Sequence, residues 1–127
     1  MVTEARPKVL CVDDDERIRD LLAETLCGNY VTIQAGSGST ALQLAREEKP
    51  ALILLDVMMQ DMTGFEVCRR LKSDEATRDV MVIIVTGMGA DSEVRIGLAV
   101  GAEAYVTKPF SPADLLAKVD ALLRGQR

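Results

Sequence analysis

The chain has 127 residues, 48% of them hydrophobic, which suits one domain able to bury a core without disulfide or metal staples. A net charge of −5 argues against a nucleic-acid-binding surface, which needs a basic stripe to neutralise phosphates. The absence of histidine removes histidine bases, histidine phosphocarriers and most zinc sites, leaving carboxylates, hydroxyls and lysine to carry any chemistry.

In chain order, a tail over 1–6 leads into an apolar run at 8–12 that reads as a strand. It ends in four acidic residues, Asp13, Asp14, Asp15 and Glu16. Residues 16–27 place Ile18, Leu21, Leu22, Thr25 and Leu26 on one helical face, with Asp15 available as a cap and Gly28 as a stop. A second strand is expected at 30–35 and a helix at 39–48, followed by the continuous run "LILLD" at 52–56. A helix over 64–73 carries Phe65, Cys68 and Leu71, and "VMVIIVT" at 80–86 is the fourth strand. Residues 91–100 form a helix pattern interrupted by Gly97. A fifth strand at 104–107 and a helix over 111–123 complete the chain, with 124–127 as a tail or the start of a linker.

Strands without alternation suit a parallel sheet buried on both faces. Five βα units joined by right-handed crossovers imply an α/β doubly wound fold, with helices on both sides of the sheet. Cys11, Cys27 and Cys68 form no CxxC pair and are expected to be buried structural thiols. No apolar run approaches the roughly 20 residues that cross a bilayer, and the chain reads as cytoplasmic without membrane insertion.

Open parallel sheets bind ligands beyond the carboxyl ends of their strands. Those ends deliver Asp13, Asp14 and Asp15 from the first strand, Asp56 from the third, Thr86 from the fourth and Lys108 from the fifth. Acids at a helix start gain about 0.3–1 kcal/mol from the dipole, which accounts for Asp15 and Glu16. It does not account for Asp56, an acid ending an apolar strand, which needs a partner. Carboxylates from two strands can share a magnesium ion, and a lysine and hydroxyl beside it suit a transferring phosphoryl group.

These segments, "KVLCVDDDE", "LILLDVMMQDMTGFEV", "VIIVTG" and "GAEAYVTKPF", together resemble the receiver domain of bacterial two-component response regulators over nearly the whole chain. The resemblance implies a flavodoxin-like sheet of order 2-1-3-4-5. It implies Asp56 as phosphoacceptor, Asp13 and Asp14 as the acidic pair, Lys108 as the site lysine, Thr86 as the switch hydroxyl and Tyr105 as the switch aromatic. Mg²⁺ would be held by Asp14, Asp56 and the backbone carbonyl of Met58, with Asp13 acting mainly through water. Thr86, Gly87 and Lys108 would hold the phosphoryl group, and the peptide between Lys108 and Pro109 would be cis.

The implied partners are a sensor histidine kinase or phosphotransfer protein and a downstream target or C-terminal output domain, with a phosphorylation-dependent dimer as a further option. Gln60 and Thr63 depart from the family pattern, in the loop that bears Met58. The apolar Met58 side chain, at a position that influences attacking water, predicts a comparatively long-lived phosphoryl group. An aspartyl phosphatase of the haloacid dehalogenase type would need an aspartate where Met58 stands. A flavin binder would need glycine and hydroxyl residues where the aspartates stand.

Overall fold

A computed structural model describes residues 6–87 and 89–125. Residues 1–5 of the expected N-terminal tail and 126–127 of the expected C-terminal tail lie outside the described residues. The elements alternate throughout: β1 (Lys8–Val12), α1 (Glu16–Leu26), β2 (Val31–Ala35), α2 (Gly38–Glu48), β3 (Leu52–Leu55), α3 (Gly64–Ser73), β4 (Met81–Thr86), α4 (Asp91–Ala99), β5 (Ala104–Thr107) and α5 (Pro112–Arg124). The strands form one parallel sheet in the order β2-β1-β3-β4-β5, as expected.

Successive strand side chains point to opposite faces, and both faces are covered, which is why the central runs need no polar residue. On one face Leu10, Val12, Ile53, Leu55, Val82 and Ile84 pack with Ala41 and Ala45 of α2 and Val67 and Leu71 of α3. On the other, Val9, Cys11, Leu52, Leu54, Ile83 and Val85 pack with Leu22 and Leu26 of α1 and Leu115 and Val119 of α5. Fully burying each of the Val, Leu and Ile side chains is worth about 1.5–3 kcal/mol, so register is strongly specified.

Caps set where the helices begin. The side chains of Asp15, Ser37, Thr63 and Ser111 accept backbone N–H groups at the starts of α1, α2, α3 and α5. For α4, Ala90 occupies the cap position, and among the described residues no side chain caps it. Gly97, expected to interrupt this helix, lies within it and is its one buried residue. A Cβ at Gly97 would come within 2.9 Å of Tyr105 Cδ2 and 3.0 Å of Ile84 Cδ1, so the missing side chain makes room for the ring.

Two expectations need correction. Cys27 is exposed, while Cys11 and Cys68 are buried. It stands one position past Leu26, about 100° around the axis from the buried row of Leu22 and Leu26, and forms the C-cap of α1. Tyr30 lies just before β2 rather than within it; its ring is buried and its hydroxyl hydrogen-bonds Asp120 of α5. No helix among the described residues is long and apolar enough to cross a membrane.

Candidate functional site

The backbone ladder runs one step past the strand ends, and that step seats three of the candidate site residues. Asp13 N–H donates to the Ala35 carbonyl (3.2 Å), Asp56 N–H to Val12 (3.0 Å) and Lys108 N–H to Thr86 (2.8 Å). Because β1 and β3 are neighbours, Asp13 and Asp56 emerge side by side, with Thr86 and Lys108 following along the same edge.

Asp13, Asp14 and Asp56 each offer a carboxylate oxygen, and these oxygens lie within 4.8 Å of one another. Asp13 and Asp56 are buried and Asp14 is exposed, so the cluster opens toward solvent on the Asp14 side. Three hard oxygen donors of this kind fit a divalent cation such as Mg²⁺, which favours one or two carboxylates and retains waters. Burial and the charge of Asp13 push the Asp56 carboxyl above its ordinary range, against Lys108, Thr86 and the Val57 N–H, which pull it down. The Val57 N–H donates to Asp56 Oδ1 at 2.8 Å, and the Thr86 hydroxyl bonds the same carboxylate.

Lys108 Nζ is 2.7 Å from Asp13 Oδ2 and 3.6 Å from Asp56 Oδ2. Burial alone would lower the ammonium, but its bond to Asp13 and the charges of both aspartates outweigh that and raise it. The peptide between Lys108 and Pro109 is cis. Asp13 is also held by its own loop, Oδ1 accepting the Asp15 N–H at 2.9 Å. Gly87 is exposed, and a Cβ added there would meet nothing within 4 Å.

Tyr105 lies at the opposite flank, against Gly97 of α4 and only part-buried. Burial, then the charges of Glu93 and Asp56, push its phenol up. The structure thus brings Asp13, Asp14, Asp56, Thr86 and Lys108 together, while Tyr105 packs against Gly97 of α4. Met58 stands two residues past Asp56 and is 62% exposed.

Sequence reasoning missed three supporting residues. Arg19 of α1 donates from Nη1 to the Asp13 carbonyl at 2.7 Å and holds the acidic loop from behind. Gly64 lets the loop after β3 close, since a Cβ there would come within 2.1 Å of the Asp56 carbonyl oxygen. Asp61 in the same loop reaches α2, accepting the Gly38 N–H at 2.9 Å and the Ser39 N–H at 2.8 Å. The glycine following Thr63 was a readable signal; the partners of Arg19 and Asp61 are set by topology and had none.

Comparison with known proteins agrees with this geometry. The sequence model of the response regulator receiver domain matches residues 9–120. The chain is 42% identical to the phosphate regulon transcriptional regulatory protein PhoB of Pseudomonas aeruginosa, over 91% of this chain and 51% of that protein. It is 41% identical to the DNA-binding response regulator MtrA of Mycolicibacterium smegmatis, over 94% of this chain and 51% of that protein. The chain therefore spans about half the length of these curated relatives.

Among solved structures, the BeF3-activated DrrB receiver domain superposes with a TM-score of 0.87 at 35% identity, covering 94% of this chain and 98% of that one. A CheY-like receiver domain protein from Methanospirillum hungatei gives a TM-score of 0.90 at 30% identity, covering 96% of this chain and 97% of that one. With the sheet order, the acidic strand ends and these matches in agreement, the chain belongs to the response regulator receiver domain family of two-component signalling.

Proposed function

We propose that this receiver domain is a phosphorylation-dependent switch in which Asp56 accepts a phosphoryl group from a sensor histidine kinase or a phosphotransfer protein. A carboxylate oxygen of Asp56 attacks the phosphorus of a phosphohistidine. The new O–P bond forms as the N–P bond breaks, and the electron pair returns to the imidazole nitrogen. Lys108 neutralises charge on the phosphoryl oxygens, and the Thr86 hydroxyl and the open backbone at Gly87 receive them. Mg²⁺, held by Asp14, Asp56 and the Met58 carbonyl with Asp13 acting mainly through water, supplies further charge neutralisation when bound.

Thr86 then turns from the Asp56 carboxylate to a phosphoryl oxygen, and the Tyr105 ring moves inward, remodelling the face formed by α4, β5 and α5. That face addresses a downstream protein or a C-terminal output domain, a reading supported by relatives about twice this length. The chain promotes only its own phosphorylation and dephosphorylation, in the cytoplasm, and makes no direct nucleic-acid contact itself.

The observation that carries this reading is the cluster of Asp13, Asp14 and Asp56 with mutual oxygen distances within 4.8 Å, flanked by Lys108 Nζ at 3.6 Å from Asp56. The test is intact-mass measurement after incubation with Mg²⁺ and acetyl phosphate. One phosphoryl adduct on the wild type and none on Asp56→Asn is the expected result; an adduct that persists in Asp56→Asn overturns the assignment.

A further inference from the structure

The loop between β3 and α3 begins with Asp56, includes Met58 and contains no proline to stiffen it. Its closing end is tied to α3 by the Gly64 N–H to the Val57 carbonyl (2.9 Å) and by Thr63, whose Oγ1 accepts the Glu66 N–H at 3.2 Å. Its middle is tied elsewhere. Asp61 accepts the Gly38 N–H and its own neighbour's Met62 N–H on Oδ1, and the Ser39 N–H on Oδ2. Both oxygens are used, and two of the three donors belong to the first turn of α2, where backbone N–H groups have no partner within the helix.

Packing reinforces the tie. Gly38 is buried, and a Cβ there would come within 2.4 Å of Met62 Cγ, so the residue after Asp61 sits directly on the start of α2. Asp61 and Asp14 line one open cleft of about 280 Å³ with Gly36, Ser37 and Gln60, which places the tie at the rim of the carboxylate cluster. Helix α2 has its own cap in Ser37, whose hydroxyl accepts the Thr40 N–H at 3.2 Å. The Asp61 contact is thus additional to capping and joins two segments that sequence separates by more than 20 residues.

We propose that Asp61 is a positioning residue: by clamping the β3–α3 loop onto the first turn of α2, it holds the Met58 carbonyl and the Asp56 backbone in place for a divalent cation. This inference rests on the proposed Mg²⁺ site. Partners that orient a metal ligand from outside the coordination shell typically contribute about 10–100-fold in metal affinity.

The test compares Mg²⁺ affinity by calorimetry, and thermal stability without metal, for the wild type, Asp61→Asn, Asp61→Ala and Ser37→Ala. Ser37→Ala removes a cap from the same helix without touching the β3–α3 loop. Affinities are measured at about 0.1 M and about 1 M KCl, because at the higher concentration the Debye length is only about 3 Å and simple loss of a negative charge is screened. The expected result is an about tenfold weaker Mg²⁺ affinity in both Asp61 variants at both salt concentrations, with Ser37→Ala within about twofold of wild type. Unchanged affinity in the Asp61 variants, an equal loss in Ser37→Ala, or a deficit that vanishes in high salt overturns the proposal. A wild type that binds no Mg²⁺ overturns the metal-site reading itself, and this inference with it.

Discussion

The ammonium of Lys108 lies closer to Asp13 Oδ2, at 2.7 Å, than to Asp56 Oδ2, at 3.6 Å. Its charge is engaged mainly by a carboxylate that is not the proposed phosphoacceptor, so less of it offsets the charge of Asp56. In the proposed mechanism the lysine shifts its weight toward Asp56 as charge develops on the phosphoryl oxygens. Lys108→Ala is expected to slow phosphorylation by acetyl phosphate by about 10²–10³-fold, the usual loss when a charge-stabilising donor is removed. Time-resolved intact mass checks this, and circular dichroism checks that the fold persists.

Asp56→Asn is expected to raise the melting temperature in metal-free buffer at neutral pH, by roughly 4 °C per kcal/mol gained. Burial and Asp13 raise the folded-state pKa of Asp56. The native state therefore holds the proton more tightly than the unfolded chain does, so this group favours folding at low pH and its contribution is lost as pH rises through the raised value. The advantage of Asp56→Asn should shrink as pH falls below the ordinary carboxylate range, and also on adding Mg²⁺. Asp61 has the opposite sign: the Gly38 and Ser39 N–H groups hold its carboxyl down at about 2. Its stabilisation is full above about pH 4 and disappears as pH falls toward 2. Thermal melts across pH 2–8 separate the two effects.

Gly97→Ala should destabilise the protein although alanine favours a helix interior by about 1 kcal/mol over glycine. The added Cβ collides with the Tyr105 ring and Ile84, and such overpacking costs about 1–3 kcal/mol. Combining it with Tyr105→Ala should recover part of the loss, giving a coupling of at least about 0.5 kcal/mol in a double-mutant cycle by urea unfolding.

A thiol reagent applied to the native protein should modify one cysteine rapidly, Cys27. Burial pushes the thiols of Cys11 and Cys68 up to about 12 and about 11, and both are shielded from solvent. Mass spectrometry of the labelled native protein, with Cys27→Ser as control, counts the adducts.

Features carried by local pattern were legible in the sequence. The apolar runs "LILL" and "VMVIIV" need both faces covered, and that requirement alone gives a parallel sheet with helices on each side. Once the strands are placed, Asp13, Asp56, Thr86 and Lys108 fall at one edge because each ends or follows a run. What escaped depends on which segments meet. Asp61 bonds residues 22 and 23 positions earlier, and Tyr30 bonds a residue 90 positions later. Arg19 has nothing in its neighbourhood to mark it as the support of the Asp13 carbonyl. Gly97 was readable as a glycine but not as a socket, since its purpose is set by a side chain on the next strand. Cys27 was misjudged because a position just beyond the last buried turn looks apolar in sequence and faces outward in space.

Helix α4 has one buried residue, Gly97, and that residue has no side chain. An element with so little buried side chain is expected to have a low free energy of local opening. A low opening free energy responds to a modest difference in contacts, about 1.4 kcal/mol for each tenfold change in occupancy. In the proposed switch, this lightly anchored helix, which meets β4 at Ile84 and β5 at Tyr105 through Gly97, is the element that a small change beside Asp56 would move.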